Sequence, residues 1–186
     1  MSTATNVTAA KPAIGGSIYW APIGTTLPTD SSTALGADFK HLGYISEDGV
    51  TNSFSPESDV IKAWGGDTVL PLFTGREDTF QFTLLEALLD EARKLVFGDS
   101  NVTGSLAAGL VTKASASDLG DHSFVFEMIL RNNVKNRIVI PIAKVTEVGD
   151  VVYSDSDAVG YEITLTASAD SNGYTHYEYT KTPAQG

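Results

Sequence analysis

The sequence predicts a mainly β fold: an antiparallel β-sandwich or barrel with one flanking α-helix at about residues 84–97. Three observations carry that expectation. Over residues 79–84, Phe80, Phe82 and Leu84 alternate with Thr79, Gln81 and Thr83, the period-two pattern of a strand with one buried face. The period then changes: Leu85, Leu88, Leu89, Ala92, Leu95 and Val96 recur at helical spacing, opposite Glu86, Asp90, Glu91, Arg93 and Lys94. After Gly98 the alternation returns in several segments, joined by links too short for parallel crossovers.

Taken in order, residues 1–15 read as a flexible N-terminal arm of small polar residues. A single β-sandwich domain is expected over 16–182, and 183–186 form a C-terminal tail. The first strand falls at 17–21 with Trp20 in the core, followed by a Thr/Ser/Pro/Gly loop over 22–36. A second strand is expected at 39–45, with Glu47-Asp48-Gly49 as a turn. In 50–73, apolar residues stand among Pro56, Gly65, Gly66 and Pro71, which interrupt a regular ladder. That stretch is expected to protrude from the domain as a long loop. Its residues Phe54, Val60, Ile61, Trp64 and Leu70 are the candidate inter-subunit contacts, with Trp64 singled out by its Gly-flanked setting.

In the helix, Thr83 and Glu86 have capping-box spacing, acidic residues lead and basic ones follow, and Gly98 stands at the C-cap. Leu88 and Leu89 are expected in the core. Further strands follow at 123–131 (Phe124, Phe126, Met128, Leu130) and 137–144 (Ile138, Ile140, Ile142), with Asn132-Asn133 to Asn136 between them as a turn. Another strand is read at 161–167. Asn172-Gly173 signals a hairpin leading to a Tyr/Thr-rich edge strand at 177–182. The expected total is seven to nine strands.

Composition narrows the function. At 186 residues, with 42% hydrophobic and 19% charged, the chain has the makings of one globular core. The absence of cysteine removes disulfides, thiolate metal sites and thiol nucleophiles, and fits a reducing cytosol. No secretory signal or bilayer-length apolar run is evident, so no membrane partner is expected. The net charge of −11 argues against gripping nucleic acid. It is uneven: residues 38–99 carry 5 basic and 12 acidic groups, 100–146 carry 5 and 3, and 147–186 carry 1 and 7. A basic middle between acidic flanks suits matching between copies of one chain.

No catalytic or metal-binding constellation emerges. His41, His122 and His176 lack metal-ligand spacing, and Asp121-His122-Ser123 cannot align as a triad, because consecutive strand residues point to opposite faces. Asp155-Ser156-Asp157 departs from a calcium loop at Val159 and Thr166. No cofactor is expected, and the chain reads as a structural protein and not an enzyme.

Three stretches together resemble siphophage tail tube proteins: Gly43-Tyr44-Ile45-Ser46-Glu47-Asp48-Gly49-Val50, Asp59-Val60-Ile61-Lys62-Ala63-Trp64-Gly65-Gly66, and the strand-to-helix unit from Thr79 to Gly98 with Asn101-Val102 after it. The resemblance covers about residues 40–102 by order and spacing. It implies a β-sandwich subunit forming hexameric rings that stack into a virion tube, assembled in the host cytoplasm. Genomic DNA would pass through the lumen without specific binding. The partners implied are further copies, tape measure, terminator and baseplate or tail-tip proteins. Alternatives are another β-rich virion, terminator or contractile-injection tube component, or a carbohydrate-binding β-sandwich.

Overall fold

The computed structural model describes residues 3–13 and 17–182; parts of the expected arm (1, 2, 14 and 15), residue 16 and the whole 183–186 tail lie outside them. The strands are β1 (Ala10–Pro12), β2 (Ile18–Pro22), β3 (Lys40–His41), β4 (Ile45–Lys62), β5 (Thr68–Leu84), β6 (Val102–Ser105), β7 (Gly109–Thr112), β8 (Asp121–Leu130), β9 (Val134–Val148), β10 (Tyr161–Ser168) and β11 (Tyr177–Lys181). One helix, α1, spans Asp90–Phe97. Nine strands form one sheet in the order β3-β2-β8-β9-β10-β5-β4, with β1 against β8 and β11 against β9, while β6 and β7 pair separately. Every pairing is antiparallel. The mainly β, antiparallel, one-helix architecture expected from the sequence is the one adopted.

The large sheet folds over on itself. Along it, β5 and β8 are three strand spacings apart, about 14 Å in a flat sheet. Yet the rings of Phe80 on β5 and Phe126 on β8 stack with centroids 5.4 Å apart. The enclosed face holds the main core: Ile18 and Trp20, Phe80, Phe82 and Leu84, Phe124 and Phe126, Ile140, and Tyr161, Ile163 and Leu165. Ala92, Leu95 and Val96 of α1 close it. Trp20, core as expected, also donates its indole N–H to Glu91 Oε2 at 3.2 Å, tying the helix to β2.

A second, smaller core lies on the opposite face, where the segment after β2 lays Leu27, Leu35 and Phe39 over Ala21, Val125 and Val139. Val125 is therefore as buried as Phe124 and Phe126, although it points the other way. The buried Arg137 fastens that segment. Its Nη1 donates to Asp30 O at 2.7 Å, its Nη2 to Thr33 O at 2.8 Å, and its Nε to Glu127 Oε1 at 2.9 Å. Asp30, in turn, accepts from Thr33 and Ser32, and these bonds hold its carboxyl well below the usual range.

Several expectations need correction. The helix begins at Asp90, not near 84, and its N-cap is Leu89, with no side-chain cap. Glu86 does not close a capping box with Thr83, which lies inside β5; its Oε1 accepts from the Tyr44 amide at 2.9 Å. Leu85 N–H goes to Tyr44 O at 2.9 Å, so the first expected turn of helix is spent on a contact across 42 residues. The approach requires Gly43 (φ 79°), where a Cβ would stand 2.6 Å from Glu86 Cδ. Leu88 is consequently not core but 59% exposed, whereas Leu89 packs against the core. Gly98 does end the helix with φ 94°.

The strand expected at 39–45 reduces to Lys40–His41. Glu47-Asp48-Gly49 is no turn: β4 runs through it, with a register shift between Ile45 and Val50. Nor does Asn172-Gly173 reverse a hairpin. β10 and β11 both pair with β9, so β11 resumes the line of β10 after an excursion closed by Asp170 N–H to Tyr174 O at 2.9 Å. Asn132 and Asn133, at φ 62° and 59°, do make the β8–β9 turn, but it does not extend to Asn136, which already pairs with Met128 inside β9.

Candidate functional site

The segment expected as an irregular loop at 50–73 is a ladder. β4 and β5 pair from Val50–Phe82 out to Lys62–Thr68, absorbing Pro56 and Pro71 with shifts at Glu57/Ser58 and Ile61/Lys62. Pro56 and Pro71 fit because this ribbon has only two strands, and an edge strand leaves one side of its backbone unpaired. Beyond Asp78 the two strands continue alone, for about 30 Å at the usual rise per residue. Ala63 N–H to Asp67 O (2.8 Å) closes the tip, and Gly65 and Gly66 take φ of 117° and 99° there.

Cross-strand partners share a face, so the register sorts the side chains. Phe54, Pro56 and Val60 lie with Pro71 and Phe73 on the face continuous with the core side of β5. Ile61 lies with Leu70 and Leu72 on the other. All five candidate residues, Phe54, Val60, Ile61, Trp64 and Leu70, are exposed, and Trp64 at the tip is fully so, at 106%. The structure thus brings Phe54, Val60, Ile61 and Leu70 onto one ribbon, divides them between its faces, and puts Trp64 at its end. Arg76 sits 4.6 Å over the Phe54 ring. A two-stranded ribbon with apolar groups on both faces is marginal in water without a partner.

Sequence reasoning missed how the ribbon is rooted. Asp78 is buried; its Oδ1 accepts from Asn52 Nδ2 at 2.7 Å and its Oδ2 lies 2.6 Å from His176 Nδ1. The His176 ring also meets Phe54 and Phe80 edge-on at 5.9 and 5.5 Å. A signal was present: Asp78 occupies the apolar phase of Phe80, Phe82 and Leu84, where a carboxylate requires buried partners. The outer strand β4 leaves its other edge unpaired along the ribbon.

The opposite face of the β4-β5-β10 region is bare and polar: Thr51, Thr79, Gln81 and Thr83 beside Glu162, Thr164 and Thr166. Gln81 Nε2 donates to Glu162 Oε1 at 2.7 Å, and the Thr146 and Thr166 hydroxyls are 3.0 Å apart.

The triad letters at 121–123 do not come together among the described residues. Ser123 Oγ is spent on Pro141 O at 2.7 Å, and His122 lies tilted against Trp20 with ring centroids 4.6 Å apart, where burial lowers its pKa. Among the described residues no three His, Asp or Glu side chains are grouped to hold a metal, and no helix is long and apolar enough to cross a membrane.

A family of proteins described as phage tail tube proteins matches residues 3–184 of the sequence. The chain belongs to the phage tail tube protein family. No curated protein matches it. Membership makes the chain a structural component of a virion tail, assembled from many subunits, in a family not known for catalysis.

Proposed function

We propose that the chain is the tube subunit of a long-tailed, siphophage-type tail, with six copies in a ring and rings stacked around a lumen that conducts genomic DNA during ejection. The observation that carries this reading is the β4–β5 ribbon, apolar on both faces and open along both edges beyond Asp78, which a single copy leaves unsatisfied. Sister copies remove the open edges and cover Phe54, Val60, Ile61, Trp64 and Leu70. The bare Thr-, Gln- and Glu-lined face supports a lumen lining: hydroxyls and carboxylates offer a polyanion no cationic grip. Tape measure, terminator and tail-tip proteins are the partners, assembly takes place in the host cytoplasm, and no cofactor is called for.

Negative-stain micrographs of the purified protein test this directly, with tubes of uniform bore as the expected result. A protein that stays monomeric at high concentration, together with lysates free of tubes containing it, would refute the reading. Trp64→Ala is expected to abolish tubes while leaving the monomer's melting temperature unchanged, since the ring touches nothing in its own chain.

A further inference from the structure

We propose that an apolar groove beside the helix is the socket for the Trp64 tip of a second copy, displaced along the strand direction. This rests on the tube reading. The groove, about 750 Å³, is bordered by Leu85, Leu88, Leu89, Leu106, Leu110 and Tyr153. Leu88, Leu106 and Tyr153 are 59%, 63% and 81% exposed, more than single scattered apolar side chains would give in one place. These residues come from the turn after β5, the β6–β7 hairpin and the segment before β10, so the fold assembles the groove from three separate stretches.

Its position selects the occupant. The tip residues 63–67 immediately precede β5, and the groove begins at Leu85, immediately after its last residue. Knob and socket therefore lie beyond opposite ends of one 17-residue strand, a path of roughly 55 Å, and a copy cannot fill its own groove. A second copy can. The contact pairs unlike patches, so each filled socket leaves a tip free at the other end, and a displacement along the strands lets the association run on from one ring to the next. An indole is a large, rigid apolar anchor suited to such a pocket.

The charges are compatible as well. Lys62 and Asp67 flank the tip, and Glu86, Asp90 and Arg93 line the groove, so each side offers a partner to both signs of the other. Arg93 is set in place by Nε–H to Ala87 O at 2.7 Å and Nη1–H to Thr112 Oγ1 at 3.1 Å. The turn that displaced the expected start of the helix is what leaves Leu85 and Leu88 facing solvent on this rim.

Because the chain has no cysteine, one pair can be introduced cleanly. In assembled tubes of the Ala63→Cys/Leu106→Cys double variant, which keeps Trp64, a short bismaleimide is expected to give a denaturant-resistant ladder running past the number of copies in one ring. Either single variant should give no ladder. Leu88→Asp, at an exposed position, is expected to remain folded as a monomer and to lose tubes. Tubes that form normally but give no cross-link, or that tolerate Leu88→Asp, overturn the socket while leaving the tube reading intact. A ladder ending at one ring places the contact within rings, and cross-linking of the Ala63→Cys thiol to a different tail protein gives the tip another partner; each also overturns the proposal. Failure of the unmodified protein to form tubes removes the tube reading and the socket together.

Discussion

Folding of the large sheet onto itself rests on Phe80 and Phe126 meeting across the enclosed space, and a double-mutant cycle measures that meeting. Both side chains are fully buried and their rings stack at 5.4 Å and 18°. Replacing either by Leu keeps most of the apolar volume, so each single variant should lose roughly 0.5–3 kcal/mol and remain folded. An aromatic pair in this geometry contributes about 0.5–1.5 kcal/mol beyond area burial, and that is the coupling expected between the two substitutions. For a chain of this length, 1 kcal/mol corresponds to about 2–4 °C in melting temperature, so the coupling amounts to about 1–6 °C. Urea unfolding of dilute monomer gives the free energies directly. Phe82→Leu paired with Phe126→Leu serves as an internal comparison, since those rings meet edge-on at 5.8 Å. If Phe80 and Phe126 prove additive, with no coupling, the two strands are not in contact and the folding of the sheet onto itself is wrong.

Arg137→Met should release the segment after β2, at a cost of about 3 kcal/mol, the low end for a broken buried ion pair because Glu127 keeps partial access to water. Faster proteolysis within residues 23–39 is the readout, and an unchanged cleavage rate would sink the assignment. His122 has its pKa lowered from 6.5, chiefly by burial. The unfolded chain therefore binds the proton first, and stability should fall as pH drops below about 6.5 until the folded-state value is reached. His122→Gln should flatten that slope in melting curves. Asp30 and Asp170 are lowered by hydrogen bonds, led by those from Thr33 and Tyr177, so their contribution is kept above pH 4 and disappears only in stronger acid. Leu89→Ala should cost about 2–3 kcal/mol, whereas Leu88→Ala should change monomer stability by less than about 0.5 kcal/mol; equal losses would mean that both are core.

What could be read from the sequence was local and periodic. The alternation at 79–84 placed Phe80, Phe82 and Leu84 in the core, and the Asn132-Asn133 turn was legible because two left-handed residues in succession suit asparagine. The failures share one cause, a long-range partner overriding a local signal. Glu86 reaches Tyr44 and leaves the helix without its first turn. The ribbon accepts two prolines because only one side of each strand is paired. Asn172-Gly173 turns the chain within an excursion, since β9 offers β11 a place in line with β10. Of the candidate site, the apolar residues themselves were legible. Their division between two faces depends on bulges that no pattern announces, and the Asp78–His176 root joins residues 98 apart.

The strand order also sets a timetable for the newborn chain. Apart from the two-residue β3, β2 finds no neighbour until β8 emerges, about a hundred residues later, which at about 5–20 residues per second is roughly 5–20 s of translation. The β4–β5 ribbon needs only its own two strands and can pair at once, microseconds after leaving the ribosome. On a crowded polysome, the stickiest surface of the molecule thus ripens well before the body that will carry it.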